Sequence, residues 1–248
     1  ATEEFSSLLS EGGNVYSFCI DRYRWDTYHE CGYNKPLMDI YRPLEGDKVT
    51  LQPVPLATRV AAVAAPGLVG GGHWVVDSTG KLWSIGTMND SEPKHELGKT
   101  RFIDVVAGQA PVLALTKDRE VYAMTYKDTY KTETFSKKAL GKTTLADGKP
   151  DKAVSIVAGL LLGLVIGESG LVYSIGSNAN GALGRGFTRR NEMACNADLL
   201  SLVHTFGTVM NGRSGQPLDH VESVATDGIT CIFTCTNSLM YACGVAED

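Results

Sequence analysis

VAGLLLGLVIGESGLVYSIGSNANGALGRG, residues 157–186, decides the fold. Its glycines break the apolar run too often for a long helix, and each break falls where a strand would end. The segment before Gly-Glu-Ser-Gly and the segment Leu-Val-Tyr-Ser-Ile-Gly after it are rich in β-branched and aromatic residues. Between them lies a connector of hairpin length and chemistry. A first apolar segment, VSIVAG (154–159), precedes both. The unit is therefore a run of short antiparallel strands.

Outward from this stretch, the chain repeats it. GGNVYSFC (12–19), TGKLWSIG (79–86), DREVYAMT (118–125), SGLVYSIG (169–176) and NSLMYACG (237–244) share one pattern. An aliphatic residue precedes an aromatic (Tyr16, Trp83, Tyr122, Tyr173, Tyr241), and a small residue follows (Ser17, Ser84, Ala123, Ser174, Ala242). The aromatics are expected to be packing residues. HWVVDSTG, PVLALTKD, GLVIGESG and CIFTCTNS supply a preceding strand in four copies, and FIDVVAG and VESVATDG supply a first strand elsewhere. Strand triplets are thus expected at 60–86, 102–125, 153–176 and 221–244. The aliphatic marker recurs at 15, 82, 121, 172 and 240, a mean interval near 56 residues. A small sheet of that size cannot bury both faces alone. Stacking such sheets radially gives a β-propeller.

Leu-Gly-Lys-Thr occurs at 97–100 and at 140–143, and Gly-Lys-Thr is how a phosphate-binding loop ends. That loop needs a second glycine five residues before the Gly-Lys pair. Pro93 and Ser136 stand there instead. The strand-forming segments that follow open no helix toward a phosphate. These copies, with LGRG (183–186) and a weaker CGYN (31–34), are expected to share one phase of the repeat as turns.

With these residues in view, 157–186 resembles the repeat of the regulator of chromosome condensation family, in which Ala-Gly, a histidine, Asp-Gly, Val-Tyr-x-Trp-Gly-x-Asn and Gly-Gln-Leu-Gly recur. The histidine position reads Gly72, Pro111, Leu162 and Thr230 here, and the tryptophan position Phe18, Ile85, Met124, Ile175 and Cys243, so the chain resembles a divergent member. The resemblance implies an all-β propeller, here of about four to five blades of antiparallel strands. The family's usual seven blades would need roughly 390 residues at the spacing above. With the same strand type near both ends, the expectation is an open or incomplete ring within one repeat domain, 1–248.

Composition narrows the function classes. The formal net charge of −5 argues against general nucleic-acid affinity. No apolar run approaches the ~20 residues of a membrane-spanning helix, and ATEEFSSLLS lacks the basic start of a leader. Cys231 and Cys235 sit four residues apart in one strand, about 13 Å, beyond disulfide reach. Free thiols in a reducing, intracellular setting are expected. The histidines (29, 73, 95, 204, 220) fall in different repeats and mostly in loops. No catalytic residue, metal ligand or cofactor site is therefore assigned.

What is individual to the chain lies in three long insert loops, 20–59, 126–150 and 187–220. The first is rich in aromatics and reads either as a loop folded onto a sheet edge or as a binding loop. Residues 127–152 carry seven lysines against four acids, giving a solvated face or a basic patch that includes Lys137 and Lys138. The third opens with Arg185, Arg189 and Arg190, and its ADLLSLVHTF has the spacing of a short amphipathic helix over 196–206. These five basic residues are the candidate protein contacts. The expected function is a non-enzymatic protein-interaction module or a structural subunit of a larger assembly, with other protein chains as partners. The resemblance implies an alternative, guanine-nucleotide exchange on a small GTPase.

Overall fold

The computed structural model describes residues 5–9, 11–19, 52–53, 60–64, 73–85, 94–108, 111–124, 126–128, 131–132, 136–138, 150–178, 181–186 and 202–244. The chain divides into two compact units, Ala1–Gln109 and Ala110–Asp248. All regular structure among the described residues is strand, apart from turns and a single 3-10 position.

In the first unit, β1 (Phe5–Leu9), β2 (Val15–Cys19) and β3 (Gln52–Pro53) form a sheet in that order. A second sheet takes β4 (Val60–Ala64), β5 (His73–Asp77), β6 (Leu82–Ile85) and β7 (Lys94–Glu96), also in order. β8 (Phe102–Ala107) opens the third repeat. In the second unit, β9 (Val112–Thr116) pairs with β10 (Val121–Met124). β11 (Tyr126–Asp128) and β12 (Lys131–Thr132) make a small hairpin, and β13 (Ser136–Lys138) pairs with the free side of β10. Next come β14 (Ala153–Ala158), β15 (Leu162–Gly167), β16 (Val172–Ser177) and β17 (Leu202–Thr208), again a sheet in chain order. β18 (Val221–Thr226), β19 (Thr230–Cys235) and β20 (Met240–Gly244) close the series with three strands. The expected triplets are all present, and every described pairing is antiparallel.

Three edge strands come from segments expected to be loops. β3, β13 and β17 lie inside the stretches 20–59, 126–150 and 187–220. The helix expected over 196–206 is corrected over its second half, because residues 202–208 are strand β17. β16 leaves a ladder edge open beside this segment. Pairing Ser174 with Gly207 and Ser177 with Leu202 satisfies backbone groups that a helix would leave unpaired. The common phase expected of the Leu-Gly turns is corrected too. LGKT at 97–100 follows a fourth strand, β7, whereas LGRG at 183–186 lies between β16 and β17. Leu97 and Gly98 take positive φ (59° and 52°), and the Thr100 N–H closes the turn on the Leu97 carbonyl at 3.1 Å. The copies at 140–143 and 31–34 fall outside the described residues.

One hairpin turn is built four times. Asp77 N–H donates to Lys81 O, Thr116 to Glu120, Gly167 to Leu171 and Cys235 to Leu239, at 2.9 Å each. The fourth residue of each turn has positive φ: Gly80 81°, Arg119 62°, Gly170 78° and Ser238 64°. Its carbonyl then performs a second task. Phe102 N–H donates to Gly80 O at 2.8 Å, Ala153 N–H to Arg119 O at 3.0 Å and Val221 N–H to Gly170 O at 3.1 Å. Val60 N–H bonds Gly13 O in the same way at 2.8 Å. Each bond ties a turn to the first strand of the next repeat.

The core of the second unit shows how sheets stack. Leu162, Leu164 and Ile166 of β15 and Val172 of β16 pack with Cys231, Phe233 and Cys235 of β19 and Val221 of β18. Leu183, Val209 and Leu218 fill the space beside them. Gly159 lies so close to Gly228 that a Cβ on Gly159 would sit 2.6 Å from the Gly228 Cα. Only two glycines allow that approach.

Candidate protein-binding surface

In two of the described repeats the residue six positions before the aromatic sets up a small polar anchor. Asp77 stands six before Trp83. Its Oδ1 accepts from Thr79 N–H (2.8 Å), Thr79 Oγ1 (2.6 Å) and Lys81 N–H (3.0 Å), and its Oδ2 accepts from Trp83 Nε1 (2.9 Å). Burial pushes this carboxyl up, but the Thr79 and Trp83 side chains and the two N–H groups outweigh it and hold it below the usual value. In the third repeat Thr116 holds the position, and its Oγ1 accepts from Glu120 N–H at 3.0 Å. In the fourth the position is Gly167, and a carboxylate arrives from elsewhere. Asp151 Oδ2 accepts from the Tyr173 hydroxyl at 3.0 Å and from Ser169 Oγ. A Cβ on Gly167 would fall within the Asp151 carboxylate, 2.6 Å from its Cγ. Burial first, then the adjoining Asp151 charge, raises the Tyr173 phenol well above its usual range. These polar groups secure turns, and no described cluster of three His, Cys, Asp or Glu could hold a metal.

Trp83, Tyr173 and Tyr241 are packing residues, each with a polar end. Tyr173 is fully buried, and Trp83 packs on Val60 and Val75. Tyr241 packs against the second unit's core, and Tyr122 is half-buried. The side chain of Tyr16 lies outside the description.

The basic residues singled out by sequence are not gathered into one patch among the described residues. Arg185 is turned inward. Its Nε donates to Ser174 Oγ at 3.1 Å, and its Nη2 donates to Thr205 O at 2.9 Å and to Ser174 O. The β16–β17 register shifts between Ser174 and Gly176, which leaves carbonyls unmatched there, and the guanidinium takes them. Gly207 leaves it room, since a Cβ at that position would lie 2.7 Å from Arg185 Cζ. Burial lowers the Arg185 pKa. Lys137 Nζ donates to Glu120 Oε1 at 2.6 Å, and that hydrogen bond raises the lysine's pKa. Lys152 Nζ reaches Asp118 O at 3.1 Å and lies 4.0 Å from the same Glu120 carboxylate. The two acids of the 118–120 turn thus offset the basic segment locally. Lys138 is half-buried in β13 opposite Val121. Arg189 and Arg190 lie outside the described residues.

An apolar face supplies what the charges do not. The registers of the hairpins match position for position: Trp74 opposite Ser84, Leu113 opposite Ala123, Leu164 opposite Ser174 and Ile232 opposite Ala242. The first three pairs are buried. Ile232 is 42% exposed and Ala242 is exposed as well. Two residues before the small residue, Leu82, Val121 and Val172 are buried, while Met240 is 68% exposed. Leu239 and Ile229, which flank these strands in sequence, are exposed as well. β19 and β20 therefore bury one face in the core and present a second outward, on which Ile232 and Met240 lie with Thr230 and Thr234. Isoleucine and methionine at these positions match the buried residues of the other repeats in kind, and the sequence signal of exposure is the threonine at 230 and 234 where the preceding sheet has Leu162 and Ile166.

No protein-family model and no curated protein sequence matches the chain. Solved structures do. Human WBSCR16 superposes with a TM-score of 0.63 at 15% identity, over 98% of this chain and 61% of that one. Prp20p from Saccharomyces cerevisiae, described with its binding properties to Gsp1p and histones, gives 0.64 at 18% identity, over 98% and 57%. Yeast RCC1 (Prp20) in a structure with Kap60 gives 0.57 at 18%, over 82% and 50%. The chain spans about half to three-fifths of the length of these structures. The fold is a β-propeller of the type seen in the regulator of chromosome condensation, built from antiparallel sheets.

Proposed function

We propose that the chain is a protein-binding module whose main contact surface is the outward face of β19 and β20. The observation that carries this is the exposure of Ile232 and Met240 at positions buried in the other described repeats. Clustered exposed apolar side chains on a sheet mark a surface that another protein covers. Among the described residues no strand pairs with the outer side of β20, and a sheet edge favours pairing with a further strand. That solved propellers of this type are described with Gsp1p, histones or Kap60 supports a binding role, although those partners belong to those proteins.

The test is co-purification of wild-type chain and of Ile232→Lys and Met240→Lys variants from the native source, with the partners identified and quantified. Both sites are exposed, so the variants should keep their melting temperature. Loss of a stoichiometric partner from both is expected. An unchanged partner set at unchanged stoichiometry would remove this face from the function. The exchange-factor alternative has its own assay, nucleotide release from a small GTPase. Acceleration well above background would replace the scaffold role.

A further inference from the structure

The inward side of β19 and β20 carries chemistry of a different kind, independent of the binding face. Cys231 and Cys243 are direct cross-strand partners, and strand alternation turns them to the core, away from Ile232 and Ala242. None of the equivalent pairs in the other described sheets, such as Gly163 with Ile175, contains a cysteine. Both thiols are free. Their sulfurs converge on one atom: Cys243 Sγ donates to the Ala182 carbonyl at 3.2 Å and Cys231 Sγ to the same oxygen at 3.5 Å. Paired residues of an antiparallel ladder have Cα atoms about 4.5–5.5 Å apart, inside the ~4.4–6.8 Å range of a disulfide. The backbone therefore needs no shift for the sulfurs to join. The S–H of Cys243 on the Cys231 sulfur holds Cys231 below its usual value, and the same contact, with burial, pushes Cys243 up. The pair thus releases its first proton more readily than its second.

We propose that Cys231 and Cys243 are a redox switch: they close to a disulfide by exchange with a low-molecular-weight disulfide, and closure loosens the 181–186 turn. Cys231 is fully buried and Cys243 is partly exposed, which sets the order of events. The Cys243 thiolate attacks one sulfur of the external disulfide, whose S–S bond breaks and whose other half leaves as a thiolate. Cys231 then gives up its proton and attacks the Cys243 sulfur, expelling the second half. Two protein S–H groups are oxidised to one S–S bond, and the external disulfide is reduced to two thiols that take up both protons. Neither protein sulfur keeps a hydrogen, so the buried Ala182 carbonyl loses both donors. Ala182 stands in the turn that carries Arg185, whose guanidinium clasps β16 to β17. Cys235, on the same face, is no rival. It lies about 13 Å from Cys231 along the strand, and its Sγ donates to Asp219 O at 3.6 Å.

The full-length chain, kept folded, is equilibrated across a series of oxidised-to-reduced glutathione ratios and quenched with acid. Peptide mapping by mass spectrometry reads the linkages, and hydrogen exchange reads the turn. The expected result is a Cys231–Cys243 linkage that grows with the ratio and is reversed by reduced glutathione. Exchange across 181–186 should rise with it by about fivefold, the size of one net hydrogen bond. Cys231→Ser should hold Cys243 at the mixed disulfide with glutathione, and Cys243→Ser should show no rise in exchange at any ratio. The wild-type measurements decide the matter even where a variant folds poorly. Absence of the linkage in the folded chain at every ratio overturns the proposal, as does its appearance only in denaturant. So does a linkage that leaves exchange across 181–186 unchanged, or a rise in exchange that persists in Cys243→Ser.

Discussion

Asp77 and Asp151 perform one task from two places in the sequence. Each closes a hairpin turn and holds the ring end of the following aromatic, Trp83 or Tyr173. Replacing Asp77 with alanine strands the Trp83 N–H and two turn donors. It should lower stability by about 3 kcal/mol, read by chemical denaturation. Because the folded pKa of Asp77 lies below its unfolded value, its contribution is complete above the unfolded pKa and is lost as pH falls through the folded one. The stability gap between wild type and Asp77→Asn should therefore be flat above pH ~5 and shrink below pH ~4. Asp151→Gly and Gly167→Asp should each destabilise, the first by emptying the site and the second by crowding it. The double variant restores the arrangement seen at Asp77 and should recover at least half of the summed loss, a coupling that a double-mutant cycle measures directly. Sequence gave no sign of this pairing. The spacing of six is visible for Asp77 and Trp83, but Asp151 lies in another phase of the repeat and is brought in only by folding.

The strands differed in how plainly they could be read. β5, β6, β9, β10, β15 and β16 carry β-branched and aromatic residues bounded by turn chemistry, and all stood out. The outermost strands did not. β7 reads Lys-His-Glu and β13 reads Ser-Lys-Lys, short polar segments that become strands because a neighbour offers an open ladder. β17 carries a leucine spacing that also suits a helix, and its pairing with β16 decides the matter. Arg185 holds that outer strand where its register slips. Arg185→Ala should raise hydrogen exchange across residues 202–208 by about tenfold, while exchange in β15 stays unchanged. Arg185→Lys should rescue little, since an ammonium cannot serve Ser174 Oγ and two carbonyls in a planar fork. Equal exchange in wild type and the alanine variant would show that the clasp is idle.

Across the second unit, equivalent register positions differ in burial from sheet to sheet. Ile232 and Leu164 are the same kind of residue in the same register position, yet one is exposed and the other lies at the centre of the core. Leu164→Ala should cost about 3–4 kcal/mol through lost contact and the cavity left behind, whereas Ile232→Ala should cost under about 1 kcal/mol in the isolated chain. Equal losses on thermal and chemical denaturation would show that the last sheet is covered in the free protein. The propeller class was legible because its period is written five times in the chain. The exposed side of β19 and β20 was harder to read, because Ile232 and Met240 keep the apolar character of the repeat while only the flanking Thr230 and Thr234 depart from Leu162 and Ile166.

The two ways of placing a carboxylate differ in what they ask of the hairpin. A carbon at 167 would meet the Asp151 carboxylate, so a side chain there would push that group away from the Tyr173 hydroxyl and Ser169 Oγ. The turn at Gly167 thus borrows its negative group from a segment outside the hairpin, whereas the turn at Asp77 carries its own. One hairpin is self-sufficient and the other is completed only when residue 151 arrives beside it.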